Sequence, residues 1–551
     1  MKKTLSIDLS SDRLIGVAAT LVEEHNYIGA LKMLNKNAEL NCNDEDAFML
    51  YAEIFDDIGL YEKCINNWFK YIDCTVSEEL TDAYEGLALA YLNIGNDSNS
   101  AYYYDKLLDN SDAIDPEMRL DIMDTFLSRD ENPLKVVYPP ALADYSEEIT
   151  RAIGFMKKGD YEQAIKVFET VSEESEFYFT ARNYIAMCNV ICDRNEQAEA
   201  ECLAVLEKQP QNVQALTTLA AVRTEQKRVE ESRELACRLL EIKSDSVEEI
   251  YKIATVCCEN KLHEEAYGLF CKLEGDLGYD NTVLYFKAVS AFNCGKYKES
   301  FDAFDKILTI YPHAVTARYY YNKAREMVDN GKTEELSYFY RMPQEEREST
   351  LKILAAFSAL SAKQARKFQA MVDITDCILW CFDECMGPDG EELQTLGAIC
   401  AVKAGLDGLV CDILLNAFLP DTLKVRVLSA IGERNEYNSF GVVICHVYDV
   451  IGFRALELGK AKRKYFISAY SKLASHFAIF NRDAGEKFAL TAEKLYNELQ
   501  VAGKLDLTSD LDALTAAIYF RSGVKKPDLS REKLSEFFGA DDNKISELLG
   551  E

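Results

Sequence analysis

The sequence is short of the residues that break a chain into strands and tight turns: 10 prolines and 26 glycines are spread over 551 residues. Many short strands joined by hairpins need frequent Gly and Pro punctuation, so this scarcity argues against a sandwich or barrel and leaves long helices. Positive charge is in deficit as well. Lys and Arg number 61 against 93 Asp and Glu, so 61 − 93 = −32, a field that repels phosphate backbones and anionic lipid while favouring solubility and basic partners. Nucleic acid is not expected as a main ligand. No stretch reaches the roughly 18 uncharged apolar residues of a membrane span, and Met1–Ser11 lacks the apolar core of a secretory leader. The expectation is a cytoplasmic chain with no membrane segment. Five histidines (His25, His263, His313, His446, His476) lie scattered, without a His-Glu-x-x-His pair, a Gly-x-Ser-x-Gly elbow or a phosphate-cradling glycine loop. No enzyme, catalytic residue, cofactor or metal is expected.

What is present is apolar surface and a repeat. Hydrophobic residues make up 48% and charged residues 28%, enough to fold throughout, and the length exceeds a single ordinary core. Seventeen cysteines are read as reduced and nearly all as core. Ala152, Ala186, Ala220, Ala254 and Ala288 follow one another at 34 residues, and Ala164, Ala198, Ser232, Ala266 and Ser300 repeat the spacing twelve residues later. Two small residues per unit mean two helices whose backbones approach closely, with Phe155, Phe168, Leu219, Leu239, Phe270 and Phe304 filling the seam. One pair cannot bury both of its faces, so units must stack. Ala18, Ala52 and Ala88, with turns at Gly59-Leu60-Tyr61 and Gly95-Asn96-Asp97, place three looser units at the N-terminus.

This period and pattern resemble the tetratricopeptide repeat, whose second helix carries Ala, then an aromatic, then Pro beyond its end. Ala164 with Phe168, Ala266 with Phe270, Pro210 and Pro312 stand at those places, and Gly159-Asp160-Tyr161 and Gly295-Lys296-Tyr297 match the turn between helices. The array lacks the consensus Trp, and Arg151 and Lys287 replace its Leu, which predicts local irregularity in two units. The resemblance implies an all-α, right-handed superhelical solenoid. The organisation read from it is an N-terminal array over 1–114, a helix and Pro-containing linker over 115–144, a second array over 145–336 closed by a capping helix around Ala324, and a C-terminal all-helical domain over 337–551. Segments 391–404, 409–418 and 421–433 of that domain are similar to HEAT-like solenoids. Ser439–Val450 fits a strand pair and a helical face equally, and is assigned to helix.

The resemblance further implies a scaffold or adaptor that holds a peptide or protein segment in its concave grooves. In the second array the first-helix column Ile149, Asn183, Thr217, Tyr251 and Tyr285 would face that groove, with Asn to pair with peptide amides and Tyr to give rigid area. The same register in the first array turns Asp12, Glu23, Asp46, Glu53, Asp56, Asp57, Asp82 and Glu85 inward, which would suit a basic segment. Cys377, Cys381 and Cys385 share a helical face and Cys257 and Cys258 adjoin, with one of that pair at a core position; both sets are read as packing. The rival reading is a peptide-controlled transcriptional or signalling regulator using the helix-turn-helix-like hairpin 528–550; from Asp528 to Glu551 seven acids outweigh three cations.

Overall fold

The computed structural model describes residues 9–40, 45–76, 80–109, 119–120, 122, 145–331, 334–383, 390–524 and 531–550. Pro133, Pro139 and Pro140 of the expected linker, Cys385 and the start of the terminal hairpin at Asp528 lie outside the described residues. The chain is helical almost throughout. It begins with three pairs, α1 (Ser11–Glu23) with α2 (Tyr27–Leu40), α3 (Glu45–Asp57) with α4 (Tyr61–Cys74), and α5 (Thr81–Asn93) with α6 (Asp97–Asp109). Five more follow: α7 (Ser146–Lys157) with α8 (Tyr161–Phe168), α9 (Tyr178–Ile191) with α10 (Asn195–Lys208), α11 (Val213–Glu225) with α12 (Val229–Leu240), α13 (Val247–Glu259) with α14 (His263–Leu273), and α15 (Asn281–Asn293) with α16 (Tyr297–Ile310). Helix α17 (Val315–Asp329) comes next. The molecule divides into two compact units, one of residues 127–312 and 317–341, the other of 1–126, 313–316 and 342–551.

The repeat in the first of these units is set by its turns. Gly159, Asp193, Lys227, Lys261 and Gly295 all have positive φ, between 56° and 78°, at a constant spacing of 34. Each closes its helix with the same two bonds, as where Lys227 N donates to Thr224 O at 2.9 Å and Arg228 N to Arg223 O at 2.8 Å. A left-handed backbone costs a residue with a Cβ about 1–2 kcal/mol, so Asp193, Lys227 and Lys261 hold this geometry against their own preference. The small-residue columns fill the seams: Ala152, Ala186, Ala220, Ala254, Ala288, Ala164, Ala198, Ser232, Ala266 and Ser300 are each at most 1% exposed. Starts are periodic too. Asn212, Ser246 and Asp280 cap α11, α13 and α15, their side chains accepting from the N–H of Ala215, Glu249 and Val283. The irregularity expected at Arg151 and Lys287 does not occur. Arg151 is exposed on an unbroken α7, and Lys287 on α15 pairs with Glu274, which also takes Lys306 at 3.0 Å.

In the other unit, the N-terminal pairs and the C-terminal region pack into one body. The latter contains α18 (Gln344–Ala359), α19 (Ala362–Gln369), α20 (Thr375–Asp383), α21 (Gly390–Ala404), α22 (Asp407–Leu415) and α23 (Asp421–Gly432), then two strands, then α24 (Arg463–Phe477), α25 (Arg482–Val501), a 3-10 turn, α26 (Leu511–Ser522), α27 (Arg531–Phe538) and α28 (Asp542–Leu549). The strands correct the helical assignment of Ser439–Val450. β1 (Asn438–Ile444) and β2 (Val447–Phe453) pair antiparallel with Ile444 opposite Val447. The connecting Cys445 and His446 both have positive φ, the geometry of a type I′ turn, which usually needs Asn-Gly.

Contacts far away in sequence hold that turn. Cys445 N donates to Asp421 Oδ2 at 3.0 Å, the Tyr103 hydroxyl donates to His446 O at 2.6 Å, and Tyr91 Oη lies 3.0 Å from His446 Nδ1. Fully buried Lys424 donates to Val443 O at 2.6 Å. Asp73 of α4 accepts from Tyr448 at 2.9 Å and from the Gly441 amide, and a Cβ at Gly441 would overlap its carboxylate. Lys70 meets Asp412 at 2.6 Å, and Asn66 accepts from Ala417 N at 2.9 Å.

Two substitutions check these backbone arguments by thermal unfolding. Lys227→Gly should raise stability by up to about 1 kcal/mol by relieving a left-handed lysine, while Gly295→Val should lower it by at least about 1 kcal/mol. Gly441→Ala should expose α4 to limited proteolysis by displacing Asp73, whereas Gly452→Ala, with open space around it, should not.

Candidate functional site

The face of the second array that the sequence points to is the one lined by first helices, because α9, α11 and α13 lie side by side. Its column does not behave uniformly. Ile149 is buried in the packing of α7, α8 and α9. Thr217 is buried and its hydroxyl donates to Gln214 O at 3.0 Å. Tyr251 packs its ring against Phe270 and Phe286, with centroids 6.4 Å away in each case. Tyr285 has no exposed surface, and its hydroxyl lies 2.9 Å from Ser337 O and 3.2 Å from Phe339 O. The chain itself covers this tyrosine, so the expected open column ends before it.

Asn183 stands at a hollow of about 720 Å³ lined by Gln209, Pro210, Gln211, Asn212, Val213, Gln214 and Glu249. Its Nδ2 donates to Asn212 Oδ1 at 3.1 Å, and its Oδ1, although the residue is only 9% exposed, has no partner among the described residues. Asn212 is held by two tasks at once, since the oxygen that accepts from Asn183 also caps α11. The hollow is therefore walled by amides locked in place, with an acceptor left over and the Glu249 carboxylate close by. Such a wall suits a ligand rich in N–H donors, as an extended peptide backbone is. The caps Asn212, Ser246 and Asp280 were not singled out from the sequence, yet their 34-residue spacing is the signal that would have found them.

In the first array Glu53, Asp56, Asp57, Asp82 and Glu85 come together across α3 and α5. Burial, then Asp57 and Asp82, push the Glu53 carboxyl above its ordinary range. Burial and Asp57 do the same to Asp56, and burial and Asp82 to Glu85. Asp12 and Glu23 on α1 and Asp46 on α3 are exposed.

Cys381 is fully buried where α20 meets α21, so close that a Cβ on Gly397 would strike it. Cys257 and Cys258 are both buried, where the sequence placed one at a core position. Cys237, Cys271 and Cys445 are exposed and stand outside the reading that put nearly all cysteines in the core. In the terminal hairpin α28 buries Ile545 and Leu548 and gives Lys544 to Asp510 at 2.7 Å. No described helix is long and apolar enough to cross a membrane.

No protein-family model and no curated protein matches the chain. Solved structures do. The TPR2AB domain of yeast Sti1 in complex with pHSP90 is 18% identical, covers 48% of this chain and 98% of its own, and has a TM-score of 0.20. Yeast Tom70 is 12% identical over 76% of this chain and 93% of its own, at 0.27. The C-terminal part of a TPR repeat-containing protein from Cytophaga hutchinsonii is 15% identical over 55% and 98%, at 0.17. At these scores the assignment rests on the chain's own geometry. With left-handed turns every 34 residues, buried Ala and Ser at both helix crossings and first helices aligned on one face, the chain is a tetratricopeptide-like, all-α repeat protein.

Proposed function

We propose that this protein is a scaffold that holds an extended segment of a partner protein on the first-helix face of its second array, with the acidic face of the first array drawing in a basic stretch. The observation that carries the reading is the amide-walled hollow at nine-tenths buried Asn183, whose Oδ1 has no partner among the described residues. A buried acceptor without a donor costs about 1–3 kcal/mol, and a ligand N–H would recover that once the Asn183 amide turns its oxygen toward the hollow. The acidic face supports the basic stretch: burial first, and then the neighbouring carboxylates, raise the Glu53 and Asp56 carboxyls, and a cation relieves the charge as a proton would.

Three outcomes follow. Asn183→Ala with Glu249→Ala should weaken capture of the native partner by about tenfold with helicity unchanged, by circular dichroism and titration, since each lost buried bond is worth about 1 kcal/mol; undiminished capture would remove the hollow from consideration. Binding through residues 11–109 should fall steeply as salt shortens the Debye length below about 10 Å and vanish in Glu53→Lys, Asp56→Lys, Asp57→Lys; salt-insensitive binding would leave the acids a solubilising role. Because the Glu53 carboxyl sits above its unfolded value, the folded state binds the extra proton. Stability should therefore rise as pH falls from neutral through the carboxylate range, and Glu53→Gln should flatten that rise.

A further inference from the structure

The C-terminal half of the same face already holds a segment of the chain's own, residues 334–341, Glu-Glu-Leu-Ser-Tyr-Phe-Tyr-Arg, which has no helix or strand and bends over 338–341, where Arg341 N donates to Phe339 O at 2.7 Å. The contacts come mostly from first helices and go mostly to main chain. Asn293 of α15 clamps Leu336, its Nδ2 donating to Leu336 O at 3.1 Å and its Oδ1 accepting from Leu336 N at 2.8 Å. Tyr285 reaches the carbonyls of Ser337 and Phe339, and the Tyr320 hydroxyl of α17 donates to Arg341 O at 2.8 Å. Side chains add a pattern. Lys261 meets Glu335 at 2.7 Å, Leu336 is buried, and Tyr338 stacks on His263 with centroids 5.8 Å apart and its hydroxyl 2.8 Å from Nδ1. The intervening Phe339 is 81% exposed.

We propose that this face is a binding site for a non-helical segment of the pattern acid, apolar, small, aromatic, and that residues 334–341 occupy it in cis, in competition with a partner segment of the same pattern. The inference rests on the scaffold reading for its biological use, but the site itself does not depend on the hollow at Asn183. Two features favour exchange over permanent packing. Recognition through carbonyls and one amide tolerates any sequence that can follow the same backbone path, and of the segment's side chains only that of Leu336 is buried, with Tyr338 and Tyr340 half-buried against Phe286 and Tyr285, so a rival with the same anchors meets the same groups. A tethered occupant has an effective concentration in the millimolar range, which would hide the site from any weaker partner until the segment is displaced.

The test uses the full chain and a fluorescein-labelled octapeptide of residues 334–341. By fluorescence anisotropy, the variant Leu336→Glu, Tyr338→Glu, whose own segment is released, should bind the peptide at least about tenfold more tightly than the unaltered chain does. Adding Asn293→Ala should abolish that gain, a peptide with Phe339→Ala should bind as well as the parent, and one with Leu336→Glu should not bind. Absence of binding to the released variant would overturn the proposal. So would a dimer in sedimentation velocity that exchanges residues 334–341 between copies. Should the released variant fail to fold, hydrogen exchange of the unaltered chain decides: the Leu336 amide should exchange well before α15, and exchange only together with α15 would mark the segment as fixed core. No native partner enters these measurements, so their failure leaves the reading of the hollow standing, and failure of the capture variants leaves this one standing.

Discussion

Two helices can lie as close as these only where no side chain larger than Ala or Ser intervenes, and that requirement organises the second array. It appears twice per unit, once on each helix, and every position that meets it is buried to within 1%. Around each crossing Phe270, Phe304 and their counterparts are withdrawn from water, each worth about 1.5–3 kcal/mol. The pair so formed remains apolar on both flanks, so it is stable only against a neighbour, and the left-handed turn every 34 residues keeps successive pairs in the same pose.

Stacking leaves flanks and faces that need cover, and the chain supplies it from distant parts of itself. Within the unit that joins both chain ends, the hairpin tip at Cys445 and His446 sits against Tyr91 and Tyr103, with Asp73 reaching the Gly441 backbone. In the unit of the second array, residues 334–341 lie over Tyr285 and Tyr338 reaches the Cys258 thiol. The hairpin is held by several buried partners, including Lys424. The segment is held by backbone bonds, one buried side chain and two half-buried tyrosines, which is why exchange is argued for the second and not for the first.

What could be read from the sequence follows from what repeats. The Ala and Ser columns determine pairing and register without any other information, and they predicted both helices of every pair in the second array. The turns at Asp193, Lys227 and Lys261 hid because a strained residue leaves no glycine to mark it. The hairpin was misread as helix because Phe440, Val443, Ile444 and Val447 satisfy a period of 3.6 as well as one of 2, and because Cys445-His446 lacks turn chemistry; its geometry comes from Asp421, Tyr91 and Tyr103. The first-helix column lies along one face, but Tyr251 and Tyr285 are drawn into packing by Phe286 and by residues 334–341, whose unpatterned sequence gives no sign of where it lies.

The central claim is that partners bind along first helices rather than along the solvated second helices. Site-specific photo-cross-linking tests it most directly, with a benzophenone side chain placed either at Gln214 on α11, beside the hollow, or at Cys237, exposed on α12. The account predicts that a captured partner forms an adduct from Gln214 and none from Cys237; adducts from Cys237 with none from Gln214 would contradict it.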